Sequence, residues 1–184
     1  MRLFTGIALP GAIADNLESL LAGLRPAARI RWSPIRNLHI TTKFIGEWPD
    51  ERLEEMKGAL AGVSSPAPFD IQVRGFGWFP NPHSPRILWV GVHAPEALRD
   101  LARRTDEATA KLGVVAEKKA YSPHLTLARI GDPVPLLDLK RTIAGLPSDE
   151  FGTFRVEAWH LYLSRPGPSG SVYTRLADYS LNAK

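Results

Sequence analysis

The chain has 184 residues, a length that favours one domain or one two-lobed unit. Hydrophobic residues make up 44% and charged residues 23%, a balance typical of soluble globular proteins. The absence of cysteine excludes disulfides, thiolate zinc sites, iron–sulfur clusters and cysteine nucleophiles. A net charge of +4 is compatible with an anionic ligand, and five histidines carry much of the remaining potential for chemistry.

The first half of the chain predicts strands and helices in alternation. A buried strand is expected over residues 2–9, and a second strand over 38–46. Asp50 is a candidate cap for a helix whose buried face carries Leu53, Met56 and Leu60. Strands near 69–74 and 86–92 are joined by a Gly/Pro-rich stretch over 75–85. Between the first two strands, helical spacing relates Ile13, Leu17, Leu20, Leu21 and Leu24.

The second half of the chain is also predicted to alternate helices and strands, and it forms a second series. It comprises a strand near 124–130, a short helix near 136–144, and strands near 153–163 and 171–177 separated by a turn over 165–170. Hairpin-length connections favour an α+β fold over a doubly wound parallel sheet. No apolar run is long enough for a signal peptide or a membrane span, so a cytoplasmic location is expected. The series opens with a helical stripe formed by Leu98, Leu101, Thr105, Ala108 and Leu112.

One short pattern occurs twice, once in each series. The copies are His39-Ile-Thr-Thr42 and His124-Leu-Thr-Leu127. Because side chains alternate along a strand, His39 and Thr41 share one face, while Leu38, Ile40 and Phe44 are expected on the other. His124 and Thr126 share a face in the same way. If the two series form pseudo-symmetric lobes, the two pairs face each other across a central cleft.

Two facing imidazoles suit phosphodiester chemistry. One can remove a proton from water while the other protonates the departing oxygen, and threonine hydroxyls can bind the phosphate oxygens. No metal is needed for such a reaction. The alternative is that both histidines are hydrogen-bonded residues of ordinary strands, with threonine present for its β-propensity. His83, His93 and His160 are interpreted as structural or incidental.

A basic stretch leads into the first copy. Residues 25–46 contain no acidic residue and five basic ones, namely Arg25, Arg29, Arg31, Arg36 and Lys43. Such a segment is typical of polyanion binding, although a solvated basic loop is equally compatible with it. Trp32 could stack on a base or simply pack at a strand edge. After the second copy, strict alternation places Arg129 on the face opposite His124 unless a bulge intervenes.

These motifs resemble the two-histidine phosphoesterase superfamily, in particular its LigT-like RNA 2′,3′-cyclic phosphodiesterases, historically called 2′-5′ RNA ligases. The resemblance is carried by Asn37-Leu-His-Ile-Thr-Thr-Lys-Phe-Ile-Gly-Glu47 and by Tyr121-Ser-Pro-His-Leu-Thr-Leu-Ala-Arg129. Further matches are Arg2-Leu-Phe4, Pro85-Arg-Ile-Leu-Trp-Val-Gly91, Leu161-Tyr-Leu-Ser164 and Tyr173. Thr42 departs from the pattern, because the family more often has an apolar residue there.

The resemblance implies a bilobal α+β fold, with residues 1–184 forming one catalytic domain of two pseudo-symmetric lobes, each an antiparallel sheet with helices, around a central cleft. It implies that His39 donates a proton to the leaving 3′-oxygen and that His124 accepts one from water. Thr41 and Thr126 would hold the phosphate, and Arg129, Lys43 and Trp32 are further candidates for substrate binding. No metal or cofactor is expected. The implied partner is RNA ending in a 2′,3′-cyclic phosphate, tRNA fragments included, acted on by a monomer.

Other functions stay open at this point. Ligation of RNA ends through a 2′-5′ bond is a candidate side activity of the same site. A small nucleotide, such as a cyclic ADP-ribose phosphate or a 2′-5′ oligoadenylate, is an alternative substrate. The chain could also be a non-catalytic RNA-binding module. A histidine/carboxylate metallohydrolase is disfavoured, since neither His-x-His nor His-Glu-x-x-His occurs in the sequence.

Overall fold

A computed structural model describes residues 1–168 and 170–182, and its backbone is dominated by two antiparallel sheets. The first sheet has the strand order β3-β1-β8-β9. Its strands are β1 (Arg2–Ala8), β3 (His39–Glu47), β8 (Ala158–Gly167) and β9 (Gly170–Ser180). The predicted turn over 165–170 is shorter than expected, because the strands continue to Gly167 and resume at Gly170; residue 169 lies outside the described residues.

The second sheet has the order β2-β6-β5-β4-β7. Its strands are β2 (Arg31–Trp32), β4 (Phe69–Phe79), β5 (Ile87–His93), β6 (His124–Arg129) and β7 (Glu150–Val156). All pairings in both sheets are antiparallel. The α+β prediction is therefore confirmed.

Four helices cover these sheets within the described residues: α1 (Gly11–Leu24), α2 (Leu53–Ala61), α3 (Glu96–Ala110) and α4 (Leu137–Ala144). All five residues of the predicted stripe in α1 are buried. The predicted stripe in α3 is confirmed at Leu98, Leu101 and Thr105, which are buried. Thr109, however, is buried in place of the expected Ala108. Asp50 does not cap α2. It opens a short 3₁₀ turn, and its carboxylate accepts a hydrogen bond from the amino terminus of Met1 at 3.0 Å.

Two predicted strand boundaries are wrong. The strand expected near 153–163 is two strands in different sheets, because the chain passes from β7 to β8 at residue 157. The strand expected near 69–74 runs on to Phe79, so half of the predicted Gly/Pro-rich loop is sheet. Gly75, with a φ of 78°, lies at the irregularity where the β4–β5 register shifts, which lets the strand continue past a residue that normally ends one.

The two sheets do not correspond to the two halves of the sequence. Strand β2 comes from the first half but pairs with β6 in the second sheet. Strands β8 and β9 come from the end of the chain but complete the first sheet beside β1. The predicted pair of lobes is present, yet each lobe is built from both halves of the chain. The sheets meet where β3 approaches β6, and there the Tyr121 hydroxyl donates a hydrogen bond to the Thr41 carbonyl at 2.8 Å.

Candidate active site

The two His-x-Thr copies lie on β3 and β6, at the junction of the sheets. In each strand the histidine and the threonine are half-buried, whereas the residue between them, Ile40 or Leu125, is fully buried. All four polar side chains line one cleft of about 660 Å³. The predicted alternation therefore holds across both tetrapeptides, and it brings the two imidazoles to one cavity.

Each imidazole is held by a backbone carbonyl two residues earlier in the chain. The Nδ1 of His39 lies 2.7 Å from the carbonyl oxygen of Asn37, and the Nδ1 of His124 lies 2.7 Å from that of Ser122. A carbonyl oxygen only accepts hydrogen bonds, so both Nδ1 atoms carry the proton and donate it. In the neutral ring, Nε2 is then the unprotonated nitrogen, free to accept or deliver a proton.

Aromatic side chains fix both rings. Phe4 lies over His39 with ring centroids 4.5 Å apart, and Tyr173 meets it edge-on at 5.2 Å. Phe79 packs edge-on against His124 at 5.0 Å. No sequence pattern pointed to Phe79, because it lies in a segment predicted to be a loop. Phe4 sits on a strand predicted to be wholly buried, where a contact with the cleft could not be distinguished from core packing.

A β-bulge follows each His-x-Thr copy and determines which of the following side chains faces the cleft. In the β1–β3 pairing, Gly6 faces Thr41 and Thr5 faces Lys43, so Thr42 is the extra residue. In the β5–β6 pairing Leu127 is the extra residue. An extra residue reverses the alternation beyond it. The residue five positions after each histidine therefore turns into the cleft.

These positions are Phe44 after His39 and Arg129 after His124. The expectation that Phe44 packs on the core face is wrong: its side chain is 57% exposed. Strict alternation predicts that Arg129 lies on the face opposite His124 unless a bulge intervenes. The bulge at Leu127 does intervene, and it brings Arg129 to the face of His124. Thr42 is buried, and its hydroxyl is 2.7 Å from that of Thr5, which explains why a polar residue is tolerated at this position.

Burial and positive charge both disfavour protonated imidazole in this cleft. Loss of solvent lowers the pKa of His39 to about 4, and the charges of Arg129 and His124 act in the same direction. The Asn37 carbonyl opposes this shift. Burial, followed by Arg129, also lowers the pKa of His124, against an opposing effect of the Ser122 carbonyl. In the unliganded protein at pH 7, His39 is thus neutral.

Lys43, a predicted substrate-binding residue, does not face the two histidines. The bulge at Thr42 turns it to the buried side, where its Nζ lies 2.6 Å from a carboxylate oxygen of Asp106. The same Nζ donates to the Val115 carbonyl at 2.8 Å and lies 3.5 Å from Glu117. Lys43 therefore ties β3 to α3 and to the loop that follows it.

The basic stretch reaches the cleft through β2. Trp32 lines the cleft, and its Nε1 donates a hydrogen bond to the Ala28 carbonyl at 3.2 Å. Its neighbour Arg31 is paired in register with Arg129, so two arginines from distant parts of the sequence lie side by side at the cleft. Like charges on directly paired positions destabilise a sheet. An anion bound between them would relieve that repulsion.

The other histidines lie away from the cleft. His160 is buried on β8, with its Nδ1 2.7 Å from Asp178 Oδ1. His83 and His93 are exposed. Within residues 1–168 and 170–182, no three histidine, aspartate or glutamate side chains converge as a candidate metal site. In that same part of the chain, no helix combines the length and the apolar character needed to cross a membrane.

Comparison with known proteins supplies the family. A family model described as LigT-like phosphoesterase matches residues 7–89 and again residues 90–173, so that each matched stretch contains one His-x-Thr copy. The RNA 2′,3′-cyclic phosphodiesterase of Methanothermobacter thermautotrophicus is 32% identical over 183 residues, covering 98% of this chain and 99% of the relative. That of Archaeoglobus fulgidus is 33% identical over 177 residues, covering 96% and 98%.

Solved structures agree with this match. The TT0787 protein of Thermus thermophilus superposes with a TM-score of 0.82 at 31% identity, covering 98% of each chain. E. coli LigT complexed with 3′-AMP superposes with a TM-score of 0.81 at 26% identity, covering 99% of this chain and 98% of LigT. These matches confirm the predicted bilobal fold. Sequence and structure together establish that the chain belongs to the LigT-like phosphoesterase family.

Proposed function

We propose that this protein is an RNA 2′,3′-cyclic phosphodiesterase that opens the cyclic phosphate to a 2′-phosphomonoester. The observation that carries the proposal is the pair of imidazoles in one cleft, each with Nδ1 bound to a carbonyl and Nε2 left to exchange protons. The curated relatives at about 30% identity bear the name of this activity. Of the alternatives, nothing in the cleft favours a small nucleotide or a binding function without catalysis.

In the proposed reaction, Nε2 of His124 takes a proton from a water molecule as its oxygen attacks phosphorus. The bond between phosphorus and the 3′-oxygen breaks, and Nε2 of His39 delivers a proton to that oxygen. One water is consumed, and the product carries a free 3′-hydroxyl and a 2′-phosphate. Ligation through a 2′-5′ bond uses the same two groups when a ribose hydroxyl replaces water.

The proposed donor must acquire its proton together with the substrate. With a pKa of about 4, His39 is neutral at pH 7 in the empty cleft. A phosphodiester carries one negative charge, and an opposite charge within about 4–6 Å favours the protonated imidazole. The substrate thereby helps to create the acid that cleaves it, and His124, whose pKa is also lowered, remains the base.

Other side chains are proposed to bind the phosphate and the base. The hydroxyls of Thr41 and Thr126 donate hydrogen bonds to the non-bridging oxygens, and Arg129 neutralises charge that develops on them. Trp32 and the exposed ring of Phe44, both lining the cleft, offer flat surfaces on which a base can stack. Lys43 is assigned a structural role instead, because its ammonium group is occupied.

We further propose that residues 1–184 act as a single catalytic domain and as a monomer, since both histidines come from one chain. Light scattering coupled to gel filtration measures the oligomeric state. The cytoplasm is the proposed location, and RNA fragments, those of tRNA included, are the proposed substrates. Hydrolysis of cyclic-phosphate-ended tRNA halves against other RNAs of equal length tests that preference.

The decisive experiment is incubation with an oligoribonucleotide ending in a 2′,3′-cyclic phosphate, in the presence of EDTA. Phosphorus NMR distinguishes the 2′-phosphate from the 3′-phosphate. The 2′-phosphate is expected, because His39 is assigned to the 3′-oxygen. A 3′-phosphate would contradict the assignment of His39 as donor, and loss of activity in EDTA would revive the metallohydrolase alternative.

A further inference from the structure

The cleft with the two histidines continues into a second cleft of about 830 Å³. Five residues line both, and they include His124 and Thr41 as well as Phe44, Phe79 and Ile87. Each cleft alone has the size of a small-ligand site, which spans ~300–1,000 Å³. The site of reaction thus lies where two ligand-sized cavities join, and a single nucleotide leaves one of them unfilled.

Positive charge lines the outer wall of the second cleft. Arg99 and Arg103 project from α3, Lys119 belongs to the loop after α3, and Arg86 precedes β5. Two carboxylates, those of Asp106 and Glu117, also line it. Both lie beside the buried Nζ of Lys43, at 2.6 and 3.5 Å, and their charge is therefore partly neutralised from within. With Lys43 counted, five basic side chains and two acidic ones line the second cleft, so its lining is basic overall.

Two of these cations are available to a ligand. Arg103 is engaged by Asp100 and Glu107, and Arg86 donates a hydrogen bond to the Gly131 carbonyl. The side chains of Arg99 and Lys119 are exposed, and among residues 1–168 and 170–182 neither side chain makes a hydrogen bond or an ion pair. Unpaired cations beside the exposed ring of Phe44 form the combination that binds single-stranded nucleic acid.

We propose that the second cleft binds the ribose-phosphate backbone of the RNA strand that precedes the cyclic end, with Arg99 and Lys119 contacting its phosphates. This inference rests on the proposed function. A 2′,3′-cyclic phosphate is the last group of a strand, so the strand leaves the reaction site in one direction only. A mononucleotide has no further phosphate to offer these cations. The site is therefore built for RNA strands in preference to mononucleotides.

The test compares two substrates, a cyclic-phosphate mononucleotide and a tetranucleotide with the same 3′ end. The ratio of their kcat/KM values, tetranucleotide over mononucleotide, is measured for the wild type and for the Arg99→Gln/Lys119→Gln double variant. We expect the ratio to fall at least about fivefold, a modest effect because the contacts are exposed. The matched control is Arg141→Gln/Lys111→Gln, which removes two exposed cations that line neither cleft.

Binding is measured in parallel, so that the inference does not depend on turnover. Fluorescence anisotropy follows a labelled tetranucleotide ending in a 2′-phosphate at increasing salt. Each lost phosphate contact on a single strand makes the slope of log K against log salt shallower by about 0.7, so the double variant should lose about 1.4. The control pair should match the wild type.

The outcomes separate the two proposals. If the double variant matches its control in both ratio and slope, the second cleft does not bind the strand. If turnover of the two substrates falls equally, the cations act on the terminal nucleotide, and the inference is also overturned. If the wild type hydrolyses neither substrate, the proposed function fails, and the salt slope alone still decides whether the cleft binds the strand.

Discussion

The lowered pKa of His39 has a measurable consequence for the stability of the protein. The pKa of His39 is about 4 in the folded chain and has the ordinary value of 6.5 in the unfolded chain. Between these two pH values, the unfolded state therefore binds a proton more readily than the folded state does. Stability therefore rises with pH through this window. The contribution of His39 is complete above pH 6.5 and is lost as the pH falls towards 4.

The expected size follows from the shift. One pKa unit corresponds to about 1.4 kcal/mol, so the full contribution is about 3 kcal/mol, of which about 2 kcal/mol is lost between about pH 7 and pH 4.5. The variant His39→Gln lacks this term but retains a donor for the Asn37 carbonyl. We expect its free energy of unfolding to fall by about 2 kcal/mol less than that of the wild type over the same interval.

Urea denaturation followed by tryptophan fluorescence measures both proteins at pH 4.5, 5.5, 7 and 8. Other titrating groups affect both proteins alike, and between pH 7 and 8 the two curves should run parallel. Parallel curves down to pH 4.5 would refute the reasoning, because His39 would then keep its ordinary pKa and could be a proton donor without help from the substrate.

A bound 2′-phosphate nucleotide should raise the pKa of His39 by about one unit or more, as NMR titration can show.

Three further predictions concern catalysis and stability. Replacing either imidazole, as His39→Ala or His124→Ala, should lower kcat on cyclic-phosphate RNA at least about 10²-fold, and near-wild-type turnover by either variant would contradict paired acid–base catalysis. The pH profile of kcat/KM should be bell-shaped with both limbs below about pH 6.5, since both imidazole pKa values are lowered in the free protein; a single limb would mean that one histidine only positions the substrate. Lys43→Met leaves the partner carboxylate of Asp106 without its cation and should reduce the free energy of unfolding by about 3 kcal/mol in urea titrations, whereas the Lys43→Met/Asp106→Asn double variant should recover part of the loss.

The sequence predicts the two tetrapeptides well, because strand alternation is local. His39 and Thr41 share a face whatever strand lies beside them, and the same holds for His124 and Thr126. Beyond Thr42 the prediction fails. The bulge there depends on the register between β3 and β1. The hydroxyl of its extra residue forms a hydrogen bond with a hydroxyl on that neighbouring strand. Such a pairing is invisible from one strand, so the orientation of the residues after the bulge could not be read in advance.

The errors at the ends of strands have the same origin. An apolar pattern continues from Phe154 to Leu163 although the backbone leaves one sheet and enters the other at residue 157. Periodicity reports which side of a strand is buried, and it is silent about which sheet the strand joins. The pairing of Arg31 with Arg129 is another case, because two arginines far apart in sequence become neighbours only through the β2–β6 ladder.

The exchange of strands between the sheets has a consequence for any attempt to divide the protein into fragments. The sequence still reads as two successive units, each with its own histidine and threonine. The folded chain, however, cannot be divided at the boundary between them. A fragment ending after β5 would leave β1 without β8 and β2 without β6, exposing sheet edges on both sides of the cut. Each half of the sequence therefore supplies part of the scaffold that positions the histidine of the other half.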